Sequence, residues 1–504
     1  MPGQSARFAV LVAVIVGLLV YVILPYTYPN HQLLPDLDPR APSNALLVPR
    51  EHSIGPEIHV TFGESFENFF ELGGGDADSV REEQTIGELR QPADGTGDPG
   101  EDPGEDPGED PGAVPGEVPG EVPGEVPGED VNRTAGQHVG SIWWSRVAAK
   151  LRILPRATAL KTGALCLDGV APGYYYRPGA GVGKRSWIVF LRGGEACATE
   201  KDCYLRSLTT LGTLNKARRW RKLGGIMSAD KQLNPEFHNW NSVSLIYCDG
   251  FSFAGDRRAP MLYNGTQLYS RGRRVLDAIF TELLRSGMAA AERVILFGHS
   301  AGGLGVLLNS HRLRRLLPAG VDVKLLVCSI LQPKFPQGAY SKGFKKFLEN
   351  TAKMHNASGA LPSDCVKNYP SKEHACLLPY NLVPVQPAAA FYVNAVFDRW
   401  SLEKLLRIRC LPSSCGEFKK EKLQSWSSAM TKQVPRMLKP NDGIFLVNCV
   451  MHTFAMDDGT WFSMRVGEKS IAEAFGDWYF GRGDNHTHMD CASVDCYPNP
   501  TCIY

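Results

Sequence analysis

No cysteine occurs before residue 166, and nowhere in the 504 residues do two cysteines form a C-x2-C pair. That absence excludes the zinc-ribbon and zinc-finger patterns, which need ligands at such spacing. Net charge is nearly absent too, at +1. With 43% hydrophobic residues the chain can bury a sizeable core, so disorder throughout is excluded. Histidine is scarce toward the carboxy terminus, where only His452, His486 and His488 lie beyond position 400.

The small net charge conceals a division. Residues 1–130 carry 25 acidic and 5 basic side chains, and the remainder carries 49 basic and 28 acidic ones. The basic body is expected to attract polyanions. Its densest basic run, Lys216-Ala-Arg-Arg-Trp-Arg-Lys222, reads either as a contact for an acidic polysaccharide or as a solvated helix face. All 13 cysteines lie in this body, with spacings such as Cys197/Cys203, Cys410/Cys415 and the closing Cys491, Cys496 and Cys502. These fit a disulfide framework formed in an oxidising compartment. The odd count leaves at least one thiol free or intermolecular, and the pairing is not legible from spacing.

Phe8 to Leu24 is an uninterrupted apolar run of 17 residues, preceded by Arg7 and lacking a small-x-small cleavage site after it. It is near the lower limit for a spanning helix, and Tyr21, Tyr26 and Tyr28 suit an interface. Residues 1–30 are therefore expected to be a signal anchor, with the cleaved signal peptide as the alternative. Arg7 on the amino-terminal flank holds that end in the cytosol and sends the rest to the lumen or outside, a single-pass type II arrangement at the Golgi or cell surface. Four sequons, at Asn132, Asn264, Asn356 and Asn485, agree with that topology. Residues 98–130 repeat Glu-Asp-Pro-Gly and then Glu-Val-Pro-Gly, with 12 acidic residues and no lysine or arginine. Such a repeat forms neither helix nor sheet and extends by self-repulsion. The expected organisation is an anchor over 1–30, a disordered acidic Pro/Gly-rich stalk over 31–155 and a catalytic domain over 156–504.

From about residue 160, short apolar β-branched runs alternate with amphipathic stretches. Trp187 to Leu191, Val243 to Tyr247 and Val294 to Phe297 read as buried strands, and Arg273 to Leu284 as a helix. The pattern predicts an α/β fold, a mostly parallel sheet with helices on both faces. The third strand runs into Gly298-His299-Ser300-Ala301-Gly302, followed by the helical stretch Leu304 to Leu317. This is G-x-S-x-G between a strand and a helix, the turn that projects a nucleophilic serine above an α/β-hydrolase sheet. That fold orders its triad serine, acid, histidine. His452 follows the apolar run Gly443 to Val450, whereas His486 and His488 lie in a polar stretch that suits a surface loop, so His452 is chosen. Asp398 follows the apolar run Ala388 to Phe397, and is chosen as the acid. Asp442 precedes its strand, and Asp457 and Asp458 come after the histidine. The oxyanion donors are assigned to the backbone amides of Ala301, Gly194 and Glu195, the latter two in a loop after a strand.

Several segments together resemble the pectin acetylesterase/Notum family of carboxylesterases. They are Cys166-Leu-Asp-Gly169 with Gly173-Tyr-Tyr, Phe190-Leu-Arg-Gly-Gly194 with Cys197, and Tyr247-Cys-Asp-Gly-Phe-Ser252 with Gly255 and Asp256. Ser300-Ala-Gly-Gly303 with Val306 to Asn309, Asn394 to Trp400, Asn448 to His452 and the closing cysteines complete the set. The resemblance runs from about 160 to 504 and selects the same Ser300, Asp398 and His452. Arg192 stands where the family usually has glutamate, and Glu195 where glycine or tryptophan is common. His299 stands where cysteine often precedes the serine, and Thr453 replaces a cysteine, which leaves Cys449 without its expected neighbour.

The resemblance implies a serine carboxylesterase needing no metal or cofactor, with an ester-bearing glycan or an acylated protein as substrate and no nucleic-acid partner. Removal of O-acetyl groups from a polysaccharide is the leading expectation. Deacylation of a lipidated secreted protein is a second, and a membrane-tethered binding module without activity is the third.

Overall fold

The computed structural model describes residues 147–334, 339–491 and 493–502. The apolar run at 8–24, the acidic repeat and Asn132 lie outside them, and no helix among the described residues is long and apolar enough to cross a membrane.

A ten-stranded sheet organises the chain. Its strands in chain order are β1 (Ala148–Ile153), β2 (Gly173–Arg177), β3 (Ser186–Leu191), β4 (Trp220–Lys222) and β5 (Asn241–Leu245), then β6 (Arg293–His299), β7 (Asp322–Cys328), β8 (Ala390–Ala395), β9 (Gly443–Val447) and β10 (Thr487–Met489). Their spatial order is β10-β9-β8-β7-β6-β3-β5-β2-β1-β4. Pairing is parallel from β10 to β5 and antiparallel from β5 through β2 and β1 to β4.

The inner parallel strands β3, β6, β8 and β9 are mostly apolar because both faces are covered. In β3, Trp187, Val189 and Leu191 enter one core, and Ile188 and Phe190 enter the other. The first core is filled by α2 (Gly272–Arg285) and α3 (Ala301–Leu316), which follow α1 (Glu200–Ser207). In α2, Val275, Leu276, Ile279, Phe280 and Leu283 make one buried stripe, the spacing expected of a helix laid on a sheet. The opposite core is closed by Ile471, Ala474, Phe475, Trp478 and Tyr479 of the helix Ile471–Phe480. Its amino terminus carries a reciprocal capping box between Ser470 and Glu473.

Three expectations need correction. The boundary at 155/156 falls behind the first strand, since β1 already pairs with β2. Only Ala148 and Ala149 of β1 are buried, so this strand, one place in from the sheet edge and with Lys150 and Arg152 exposed, lacks the apolar run that marks a strand in sequence. Second, His486 and His488 do not lie in a plain surface loop. Thr487–Met489 is a short edge strand that completes the backbone hydrogen bonding of β9, with His488 opposite Phe445. Third, Lys216 to Lys222 forms no helix; it is an irregular segment ending in the edge strand β4.

Six disulfides consume twelve cysteines: Cys166–Cys248, Cys197–Cys203, Cys365–Cys376, Cys410–Cys415, Cys449–Cys502 and Cys491–Cys496. Cys449, whose expected neighbour is threonine here, reaches the carboxy-terminal Cys502. The odd thiol is Cys328, buried at the end of β7. Cys166–Cys248 joins residues 82 apart, so the Cys166→Ser/Cys248→Ser variant should lose about 2–5 kcal/mol of stability, read as a lowered denaturation midpoint. An unchanged midpoint would show that this bridge constrains nothing. The sequons at Asn264, Asn356 and Asn485 are all exposed.

Candidate active site

Four parallel strands deliver the chemistry to one edge of the sheet. β3 ends before Gly193, Gly194 and Glu195; β6 ends just before Ser300; β8 ends before Asp398; β9 ends before His452. The carboxyl edge of a parallel sheet is where such folds place their sites.

Ser300 sits at φ 54° and ψ −128°, a left-handed backbone rare for a side chain larger than glycine. Its amide donates to the carbonyl of Cys328 at 2.9 Å, which pins the turn to β7. A Cβ at Gly302 would strike the carbonyl of Leu191, and one at Gly193 would strike the carbonyl of His299. The two glycines therefore let the turn at Ser300 and the loop after β3 touch backbone to backbone.

The hydroxyl of Ser300 lies 2.8 Å from Nε2 of His452, and Nδ1 of His452 lies 2.6 Å from Oδ2 of Asp398. The other oxygen of Asp398 accepts the amide of Ser401 at 2.8 Å, and the residue is 2% exposed. Burial alone would lower the pKa of His452. The charge and hydrogen bond of Asp398, with the charges of Glu195 and Glu403, outweigh burial and hold it above the usual histidine value.

Two donors converge on the backbone of His452. Its carbonyl accepts from Nε2 of His299 at 2.6 Å and from the hydroxyl of Ser329 at 2.6 Å. Burial, and then the neighbouring His452, push the pKa of His299 down to about 3. His299 is therefore neutral and carries its proton on Nε2, the tautomer this hydrogen bond requires. Sequence reading noted His299 only as a departure and missed Ser329, which has no signal beyond its place after a strand.

The loop after β3 is held through its carbonyls. Arg206 donates to the carbonyl of Gly194, and the hydroxyl of Tyr247 donates to that of Glu195. The backbone amides of Gly194, Glu195 and Ala301 have no acceptor among the described residues. The carboxylate of Glu195 accepts from the indole N–H of Trp400 at 2.9 Å, linking the glycine loop to the segment after Asp398.

A histidine must be neutral to serve as a base, so activity falls as pH drops through its pKa. The Glu195→Gln variant keeps an acceptor for Trp400 but loses the charge that favours protonated His452. The acid limb of kcat/KM should move to lower pH in this variant. A limb that stays in place would exclude the influence of Glu195.

Ser300 opens into a cavity of about 900 Å³, counted out to solvent. Its apolar wall includes Phe251, Leu304, Ile330, Phe344, Phe347 and Leu348, and its polar groups include Glu195, Gln332 and Lys404. Phe344, Phe347 and Leu348 come from one face of the helix Ala339–Met354, at spacings of three and four. The one grouping of metal-ligand type among the described residues is Cys197, Cys203 and His355, and its cysteines are joined as a disulfide.

The pectinacetylesterase family profile matches residues 145–503. Pectin acetylesterase 5 of Arabidopsis thaliana is 34% identical over 365 residues, covering 69% of this chain and 83% of that protein. The palmitoleoyl-protein carboxylesterase NOTUM of Schmidtea mediterranea is 28% identical over 345 residues, covering 65% of this chain and 62% of that protein. The structure of the Wnt deacylase Notum from Drosophila matches with a TM-score of 0.60 at 22% identity, covering 71% of this chain and all of that one, a likeness of fold. By profile, by sequence and by the order of its motifs, the chain belongs to the pectinacetylesterase family of carboxylesterases.

Proposed function

We propose that this esterase works through Ser300 and that its substrate is an O-acetylated polysaccharide. The observation that carries the serine reading is the unbroken hydrogen-bonded line from Ser300 through His452 to Asp398, with distances of 2.8 and 2.6 Å. His452 Nε2 takes the hydroxyl proton as Ser300 Oγ attacks the ester carbonyl, and Asp398 holds the proton on Nδ1. The amides of Ala301, Gly194 and Glu195 receive the developing oxyanion. His452 returns the proton to the leaving alcohol, then activates a water that releases the acid. A fluorophosphonate probe should label Ser300; an unlabelled, folded protein would favour the inactive binding module.

The acetyl-polysaccharide reading rests on identity to plant pectin acetylesterases, with 34% for one of them, and on the excess of basic residues over acidic ones in this part of the chain. A second reading, deacylation of a lipidated protein, is favoured by the apolar wall beside Ser300, which offers more room than an acetyl group needs. On the first reading, kcat/KM for nitrophenyl esters falls by at least about tenfold from acetyl to octanoyl. Each methylene buried in an acyl pocket would contribute about 0.8 kcal/mol, so on the second the order is reversed. Six disulfides support a secretory route, and a lumenal or extracellular domain held by residues 8–24 and glycosylated at Asn132, Asn264, Asn356 and Asn485 completes the proposal.

A further inference from the structure

The open edge of the sheet beside β1 is β4, and its surface is strongly cationic. Between Asp202 and Asp230 the chain has no acidic residue, yet it carries Lys216, Arg218, Arg219, Arg221 and Lys222. The backbone of this stretch is fixed. The carbonyl of Arg218 accepts from the hydroxyl of Tyr175 at 2.9 Å, and that of Arg219 accepts the amide of Leu151 at 2.9 Å. The side chains of Lys216, Arg218, Arg219, Trp220 and Lys222 are left exposed.

The register of β4 on β1 places Lys150 opposite Trp220, with its ammonium 5.8 Å from the indole centroid. Side chains alternate along a strand, so Lys150 and Arg152 share a face with Trp220 and Lys222. Lys150, Arg218, Arg219 and Lys222 have no carboxylate partner among the described residues. One lysine is enough to discourage edge-to-edge pairing. Four unneutralised cations around an exposed tryptophan exceed that need.

The matching charge lies in the same chain. Residues 98–130 carry 12 acidic side chains and no basic one, and 17 residues lie between Asp130 and Ala148 at the start of β1. A linker of that length spans at most about 60 Å, and tethering on this scale gives effective concentrations around millimolar. We infer that the acidic repeat docks on the cationic β1–β4 edge of its own molecule. The contact is between side chains: proline in each repeat unit has no N–H to donate, so the repeat cannot add to β4 as another strand. Docked there, it neutralises a surface that an outside polyanion would otherwise seek.

Carbodiimide, which joins a carboxylate to an amine in contact with it, tests this on the full chain. The repeat holds no tryptic site, so it is released as the single peptide 91–133. At 50 mM salt that peptide should be linked to Lys150, Lys216 or Lys222, and the yield should fall at least about fivefold at 0.5 M salt, where screening shortens to a few ångströms. In a mixture of light and isotope-labelled chains, the links should stay within one chain. Absence of links to the repeat would overturn the proposal, as would links spread evenly over exposed lysines such as Lys367 and Lys419. Links between light and heavy chains would assign the surface to a second copy and equally overturn it.

Discussion

Ser300→Ala should lower kcat for an acetyl ester by about 10⁴–10⁶-fold while the denaturation midpoint stays close to that of the parent. The hydroxyl is the group that His452 Nε2 meets at 2.8 Å, and its loss leaves the imidazole with no nucleophile to activate. What remains is binding and the oxyanion amides, which still accelerate the reaction of water. Because the three side chains act as a unit, Ser300→Ala combined with His452→Ala should cost little more than either alone. Turnover within tenfold of the parent in a folded Ser300→Ala protein would end the assignment. The substituted position tolerates the change sterically, since alanine removes an atom and the elbow is held by backbone contacts to Cys328 and Leu191.

Asp398→Asn should lower kcat by about 10⁴-fold, and the geometry gives the reason. Oδ1 accepts the amide of Ser401 at 2.8 Å, so an asparagine oxygen stays on that side and its NH2 turns toward His452. Facing a donor, Nδ1 becomes an acceptor and the ring proton moves to Nε2. That nitrogen then cannot take the proton of Ser300. The variant also removes the carboxylate that favours protonated His452, so what activity survives should persist to lower pH. A loss of less than tenfold would mean that Asp398 does not set the tautomer.

The strand–turn–helix segment that carries Ser300 was legible in sequence because its constraint is local. A strand, a turn flanked by glycines and a helix lie within about twenty consecutive residues, and the steric demand acts on neighbours in the chain. His452 and Asp398 were reached by order and elimination, which works because parallel strands must end at a common edge. β1 was missed because only its first two residues are buried, so it carries little apolar signal. The edge strand at His488 was missed because its pairing depends on β9, 40 residues earlier.

Composition and motif order alone determine that the chain has an acidic amino-terminal part, a basic cysteine-rich α/β body and a serine elbow. Those properties reside in neighbouring residues or in whole-chain sums. The clamp of His299 and Ser329 on the carbonyl of His452, the Glu195–Trp400 hydrogen bond, the apolar wall from the helix Ala339–Met354 and the six cysteine pairs were decided by tertiary structure. Each joins atoms distant along the chain or depends on side-chain direction. Such contacts exist only once the packing of the sheet has set where every strand end points.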